Sequence, residues 1–212
     1  MNSQKKRIQQ LTLAAFFVAI EVLMAVTPIG YIPVGALSIT TMHLPVILAG
    51  VLIGPKFGAE IGFVFGLTSC IRATLQPTVT SFVFTPFVQI GNMTGNFWSL
   101  LIAFGPRILL GWLSGMAYRI LVRKTNNKVL SAMFAASVNT IMHTLLVLGG
   151  IWVFFAQPYA QALSITTGAL ATAFIATITS NGILETVLAA IVIPALVKAL
   201  ASTTERMGLL NE

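Results

Sequence analysis

The chain has 212 residues, 57% hydrophobic and only 8% charged, with a mean hydropathy of +0.93. Charged residues normally make up about a quarter of a soluble domain, so a soluble domain is excluded and an integral membrane protein expected. The net charge of +7 is scattered over helix ends without a continuous patch, which reads as a topology signal rather than a nucleic-acid surface.

At about 20 residues per span, this length accommodates roughly six helices in a single domain, residues 1–212, and leaves no room for a soluble energy-converting domain. Helix 1 is expected over about 8–27. Lys5, Lys6 and Arg7 ahead of an apolar run resemble a signal peptide, but the run is long, carries Glu21 and lacks a small-x-small cleavage site. A retained span is therefore expected. Ala15 and Ala19, with Ala14 beside them and Leu11 one turn earlier, form a small-xxx-small face on which another helix can approach closely, inside this chain or outside it.

Helix 2 is expected over about 38–53. Thr40, Thr41 and His43 stand at its outer lip, where a solute could be held, and Pro45 lies near the first turn, where its missing N–H costs little. His43 either faces a cavity or caps this helix. Gly54-Pro55 ends it, and helix 3 follows at once over about 56–72. Lys56 and Glu60 stand one turn apart and are expected to pair near the inner surface.

Residues 73–96 form a long outer connection rich in Thr, Pro, Gly and Asn. With the uncharged loops 27–35 and 156–161, they are expected to act as a lid over an outward cavity. Helices 4, 5 and 6 are expected over about 97–122, 128–155 and 165–200. With the N-terminus inside, all but Arg72 and Arg107 of the 12 basic residues fall at cytoplasmic ends, which places both termini in the cytoplasm. Trp98, Trp112, Trp152 and Tyr159 suit interfacial aromatic belts, although Trp152 or Tyr31 could instead cover a ligand.

Ionisable residues at bilayer depth face a partner or a cavity. Arg107, directly after Pro106 in helix 4, either snorkels or pairs with Glu185 or Glu21, or else receives a solute carboxylate on its planar fork. Asn139 and His143 share a face of helix 5 at i, i+4, and Asn181 and Glu185 repeat that spacing on helix 6. The two stripes at similar depth can meet Arg107 in one pocket or join helices to each other. Glu21 is ambiguous between an arginine partner and solute contact.

One cysteine, Cys70, excludes an internal disulfide and a cysteine-based metal site. No phosphate loop, His-Glu-x-x-His, Gly-x-Ser-x-Gly or metal-placed acidic pair occurs, so no enzymatic activity, metal or cofactor is expected on this chain. There is no internal repeat of the secondary-transporter kind.

Several stretches together resemble one family over about residues 8–200: Ala15-x-x-x-Ala19, Thr41-Met42-His43-Leu44-Pro45, Gly54-Pro55-Lys56-Phe57-Gly58, Phe65-Gly66-Leu67-Thr68-Ser69, Thr80 through Phe87, Pro106-Arg107-Ile108-Leu109 and Asn181-x-x-x-Glu185. The chain looks like the S component, the substrate-binding membrane subunit, of an energy-coupling factor (ECF) vitamin importer, and most resembles the pantothenate type. The resemblance implies a six-helix subunit of the bacterial plasma membrane, surrounded by lipid, that captures a vitamin from outside. It further implies docking through Ala15 and Ala19 onto a membrane scaffold coupled to two ATPases, which carry the ATP and Mg²⁺. For pantothenate, Thr41, His43, Arg107, Asn139, His143, Asn181 and Glu185 would form the ligand site. An S component for folate, riboflavin, thiamine or a pyrimidine precursor remains an alternative, as do a stand-alone proton-coupled transporter using His143 and Glu185, and a structural subunit with no solute.

Overall fold

The computed structural model describes residues 3–34 and 37–206, with side chains over 4–31 and 40–200. The chain is mostly helical. The first helix, α1 (Ser3–Val26), leads through a short turn to an antiparallel hairpin, β1 (Tyr31–Val34) and β2 (Leu37–Thr40), and then to α2 (His43–Leu52) and α3 (Pro55–Leu75). A long connection holds a second small hairpin, β3 (Gln89–Ile90) and β4 (Met93–Thr94). The remaining helices are α4 (Phe97–Thr125), α5 (Lys128–Ala162), α6 (Thr167–Thr177) and α7 (Ile183–Arg206), the last two joined by a π-helical turn at Ile178–Gly182. Among the described residues, α1, α4, α5 and the α6–α7 run are long and apolar enough to cross a membrane.

Several helix ends shift by a few residues, and three departures from the expectation have a physical reason. The second helix begins at His43 rather than near 38, because residues 37–40 pair with 31–34, Thr40 opposite Tyr31 and Ile39 opposite Ile32. Its 10 residues rise only about 15 Å, half the hydrocarbon thickness. The fifth helix runs past 155 to Ala162, so 156–161 is helix and not loop. Pro158 is accommodated by a break one turn earlier, at Phe155 (φ −138°, ψ 15°). The sixth is interrupted by the π-helical turn. Gly35, which ends the 27–35 loop, and the side chain of Arg206 lie outside the described residues.

Glycines set the tightest contact. A Cβ on Gly111 of α4 would lie 1.9 Å from the carbonyl oxygen of Gly58 on α3, and one on Gly62 would lie 2.1 Å from that of Arg107. No larger residue fits either position without parting the helices. Asn96 starts α4 with a reciprocal cap: its side chain accepts from Trp98 N–H at 2.9 Å, while its own N–H donates to Ser99 Oγ at 3.0 Å. Ser99 Oγ also donates to the Phe82 carbonyl at 2.7 Å, tying the long connection to this helix.

Two apolar cores result. One holds Phe17, Val46, Ile47, Leu110, Ala136 and Ile193; the other holds Phe82, Val83, Ile102, Ile151, Phe155 and Leu170. Arg107 falls between Ile102 and Leu110 along α4, and His143 between Ala136 and Ile151 along α5. Arg107 and His143 therefore stand at the seam between the cores. The Lys56–Glu60 pair does not form: both side chains are exposed, with no contact between them among the described residues. Trp112 stands midway along α4 rather than at an end.

Candidate ligand cavity

A proline inside a helix deprives the carbonyl four residues earlier of its donor, and in hydrocarbon that carbonyl must find another. Pro106 lacks the N–H that would serve Ile102, and Arg107 Nη1 donates to that same Ile102 oxygen. The Pro-Arg pair thus anchors the guanidinium against its own helix. Arg107 is 7% exposed, its Nε has no partner among the described residues, and its guanidinium carbon lies 5.3 Å from the Phe65 ring centroid and 5.2 Å from that of Phe84. Two aromatic faces stabilise the buried cation without neutralising it. Among the described residues it forms no ion pair with Glu185, whose Oε1 accepts from Thr40 N–H at 2.9 Å, or with Glu21.

Arg107 opens onto a cavity of about 160 Å³, together with Thr40, His143, Thr144, Thr177, Asn181 and Glu185, and with Val147, Leu148 and Gly182 as apolar wall. His143 is buried, with Nε2 unpartnered among the described residues and its ring 6.2 Å from Phe65. Asn181 belongs to the π-helical turn, a local widening that recurs at functional sites and here resets the phase between Thr177 and Glu185. Arg107 on α4 gives the cavity a cationic wall, with the His143 ring beside it on α5, and the facing wall offers an amide, hydroxyls and a carboxylate from α6, the π-helical turn, α7 and β2.

Of the seven ligand candidates from the sequence, Arg107, His143, Asn181 and Glu185 line this cavity. Asn139 is buried but donates from Nδ2 to the Ala135 carbonyl of its own helix at 2.7 Å, away from the lining. Thr41 donates to the Ile29 carbonyl at 2.6 Å and holds the hairpin, while its neighbour Thr40 reaches the cavity instead. His43 begins α2, buried and outside the lining, with neither ring nitrogen hydrogen-bonded among the described residues. Glu21 is fully buried on α1, and among the described residues both its carboxylate oxygens are unpartnered and no arginine reaches it. Tyr31 carries Arg72 over its ring at 4.1 Å, and Trp152 is exposed, edge-on to Phe174. Ala15 and Ala19 both lie on the exposed face of α1.

Thr144, Thr177, Phe65 and Phe84 escaped the sequence reading as site residues, whereas Thr40 was placed at the solute lip but not among the ligand residues. Thr144 follows His143 directly and Thr177 precedes Asn181 by one turn, which are usable signals. Phe84 had none, because a loop aromatic reaches its place only through tertiary packing.

Residues 9–197 match the family described as "ECF transporter, substrate-specific component". The chain is similar to the pantothenic acid transporter PanT of Lactococcus lactis subsp. cremoris, 36% identical over 200 residues, covering 93% of this chain and 96% of that one. It is also similar to the pantothenate transporter PanT of Leuconostoc mesenteroides subsp. mesenteroides, 30% identical over 214 residues, covering 96% and 97%. With almost the whole length matched on both sides, the chain belongs to the family of substrate-specific components of ECF transporters, which are transport proteins and not enzymes.

Proposed function

We propose that this chain is the pantothenate-capturing S component of an ECF importer in the bacterial cell membrane. Its carboxylate-receiving group is Arg107, with His143 beside it; Asn181, Glu185, Thr40 and Thr177 meet the hydroxyl and amide end of the vitamin. The observation that carries this reading is a buried, unneutralised guanidinium at one wall of a cavity whose other wall offers donors and acceptors. Pantothenate has one carboxylate, one amide and two hydroxyls, and so matches such a wall at each end. The names of both relatives support the same vitamin.

The cavity, about 160 Å³, is smaller than the roughly 300–1,000 Å³ of formed small-molecule sites. Admission of the vitamin therefore entails widening of the cavity, and the 76–96 connection, whose Phe84 packs on Arg107, acts as its lid. Six spans with both termini cytoplasmic complete the proposal, in keeping with the distribution of basic residues. Transport requires docking of the exposed Ala15/Ala19 face of α1 on a membrane scaffold, powered by two ATPase subunits that hold ATP and Mg²⁺.

The test is a thermal-shift screen of the detergent-purified chain against water-soluble vitamins. Pantothenate is expected to raise the melting temperature more than folate, riboflavin or thiamine. A larger shift with one of those, or none with any, refutes the assignment. The proton-coupled alternative predicts uptake by the chain alone in vesicles under a pH gradient; the S-component reading predicts none.

A further inference from the structure

A second cavity, of about 490 Å³, lies at the opposite end of the bundle, lined by Gln10 of α1, Gly54 to Phe57 at the α2–α3 turn, and Trp112 and Arg119 of α4. It holds two cations, Lys56 and Arg119, and no acidic side chain. Neither cation has an ion-pair or hydrogen-bond partner among the described residues, and the nearest acid in sequence, Glu60, leaves Lys56 unpaired. Gly54 takes φ +136°, and a Cβ there would come within 2.6 Å of Arg119 Nη2. The glycine therefore lets the guanidinium lie over the start of α3. No side chain caps that helix, whose first residue is Pro55, so the N–H groups of Lys56 and Phe57 add to the positive field.

We propose that this cavity binds the phosphate of an anionic membrane lipid from the cytoplasmic leaflet. Charge alone calls for a phosphate, but the continuation of the surface calls for a lipid. Leu109, Trp112, Met116 and Ile120 are all exposed on one face of α4, and Trp112 both lines the cavity and belongs to that stripe. A headgroup at Lys56 and Arg119 places its acyl chains along an apolar track toward the bilayer centre, where the indole of Trp112, about two turns further along α4, forms part of the track. Basic residues at this end, Arg7, Arg123 and Lys124 among them, raise the local concentration of anionic lipid, whereas the cavity selects one molecule.

The site is independent of the vitamin cavity, so its test needs no vitamin. Native mass spectrometry of the full chain in detergent is performed with phosphatidylglycerol and, separately, with phosphatidylcholine of identical acyl chains. One phosphatidylglycerol is expected to remain bound with clear preference over phosphatidylcholine. A basic residue against the bound headgroup strengthens retention of that one lipid about fivefold, so Lys56→Gln with Arg119→Gln, the two cations of the cavity, is expected to weaken retention about thirtyfold. Arg123→Gln with Lys124→Gln, at the same end but outside the cavity, is expected to change it little. Equal retention by the wild type and the Lys56/Arg119 variant, or equal loss in both double variants, overturns the proposal. Excess glycerol 3-phosphate is expected not to displace the lipid, and displacement would overturn the lipid in favour of a soluble phosphate ligand. If the Lys56/Arg119 variant fails to fold, the single variants carry the same comparison at about fivefold each.

Discussion

Replacing Arg107 by Ala removes two things at once: the carboxylate partner in the cavity and the donor to the Ile102 carbonyl. A hydrogen bond to a charged group contributes about 1.5–3 kcal/mol, so affinity for pantothenate is expected to fall about ten- to hundredfold. The orphaned carbonyl beside Pro106 is expected to destabilise the fold by about 1–3 kcal/mol as well. The two effects separate in a double-mutant cycle, because Pro106→Ala supplies a backbone N–H to Ile102 independently of Arg107. In the Pro106→Ala background, Arg107→Ala is expected to lose binding as before while most of its stability loss disappears. Stability is read from unfolding in detergent and affinity from isothermal titration, with the coupling taken as the difference between the two Arg107→Ala steps. A stability loss of the same size in both backgrounds refutes the link between Pro106, Ile102 and Arg107. Unchanged affinity removes Arg107 from the site.

Other perturbations test separate parts of the account. Gly62→Val places a branched side chain where a Cβ already meets the Arg107 carbonyl at 2.1 Å, and is expected to part α3 from α4 and destabilise the protein by about 3 kcal/mol or more, read as loss of monodisperse protein in gel filtration. Glu185→Gln retains an oxygen for the Thr40 N–H, whereas Glu185→Ala leaves that donor unpaired; the alanine variant alone is expected to lose about 1–3 kcal/mol of stability in denaturant unfolding. Ala15→Trp with Ala19→Trp adds bulk to an exposed face and is expected to leave vitamin binding intact while stopping uptake in cells; normal uptake would remove α1 from the docking surface.

The membrane class and most helices were legible because hydropathy and basic-residue placement act locally along the chain. Arg107 was legible too, being costly at its depth, and its Ile102 partner follows from Pro106 by simple counting along the helix. The β1–β2 hairpin was hidden because LSIT reads equally well as the start of an apolar helix, and its pairing with YIPV depends on a partner strand. That error exchanged Thr41 for Thr40 at the cavity. Asn139 followed His143 on helical spacing, but position on a face does not say whether an amide turns outward or back to its own backbone. The π-helical turn at Ile178–Gly182 leaves no mark in periodicity, yet it sets where Asn181 stands relative to Glu185.

The central claim is that one vitamin carboxylate is held by a buried guanidinium in a chain with no means of moving it alone. Equilibrium titration of the purified chain with labelled pantothenate tests it most directly. The account predicts saturation at one molecule per chain, weakened at least about tenfold in Arg107→Ala. Absence of saturable binding, or saturation with the same affinity in both proteins, contradicts it.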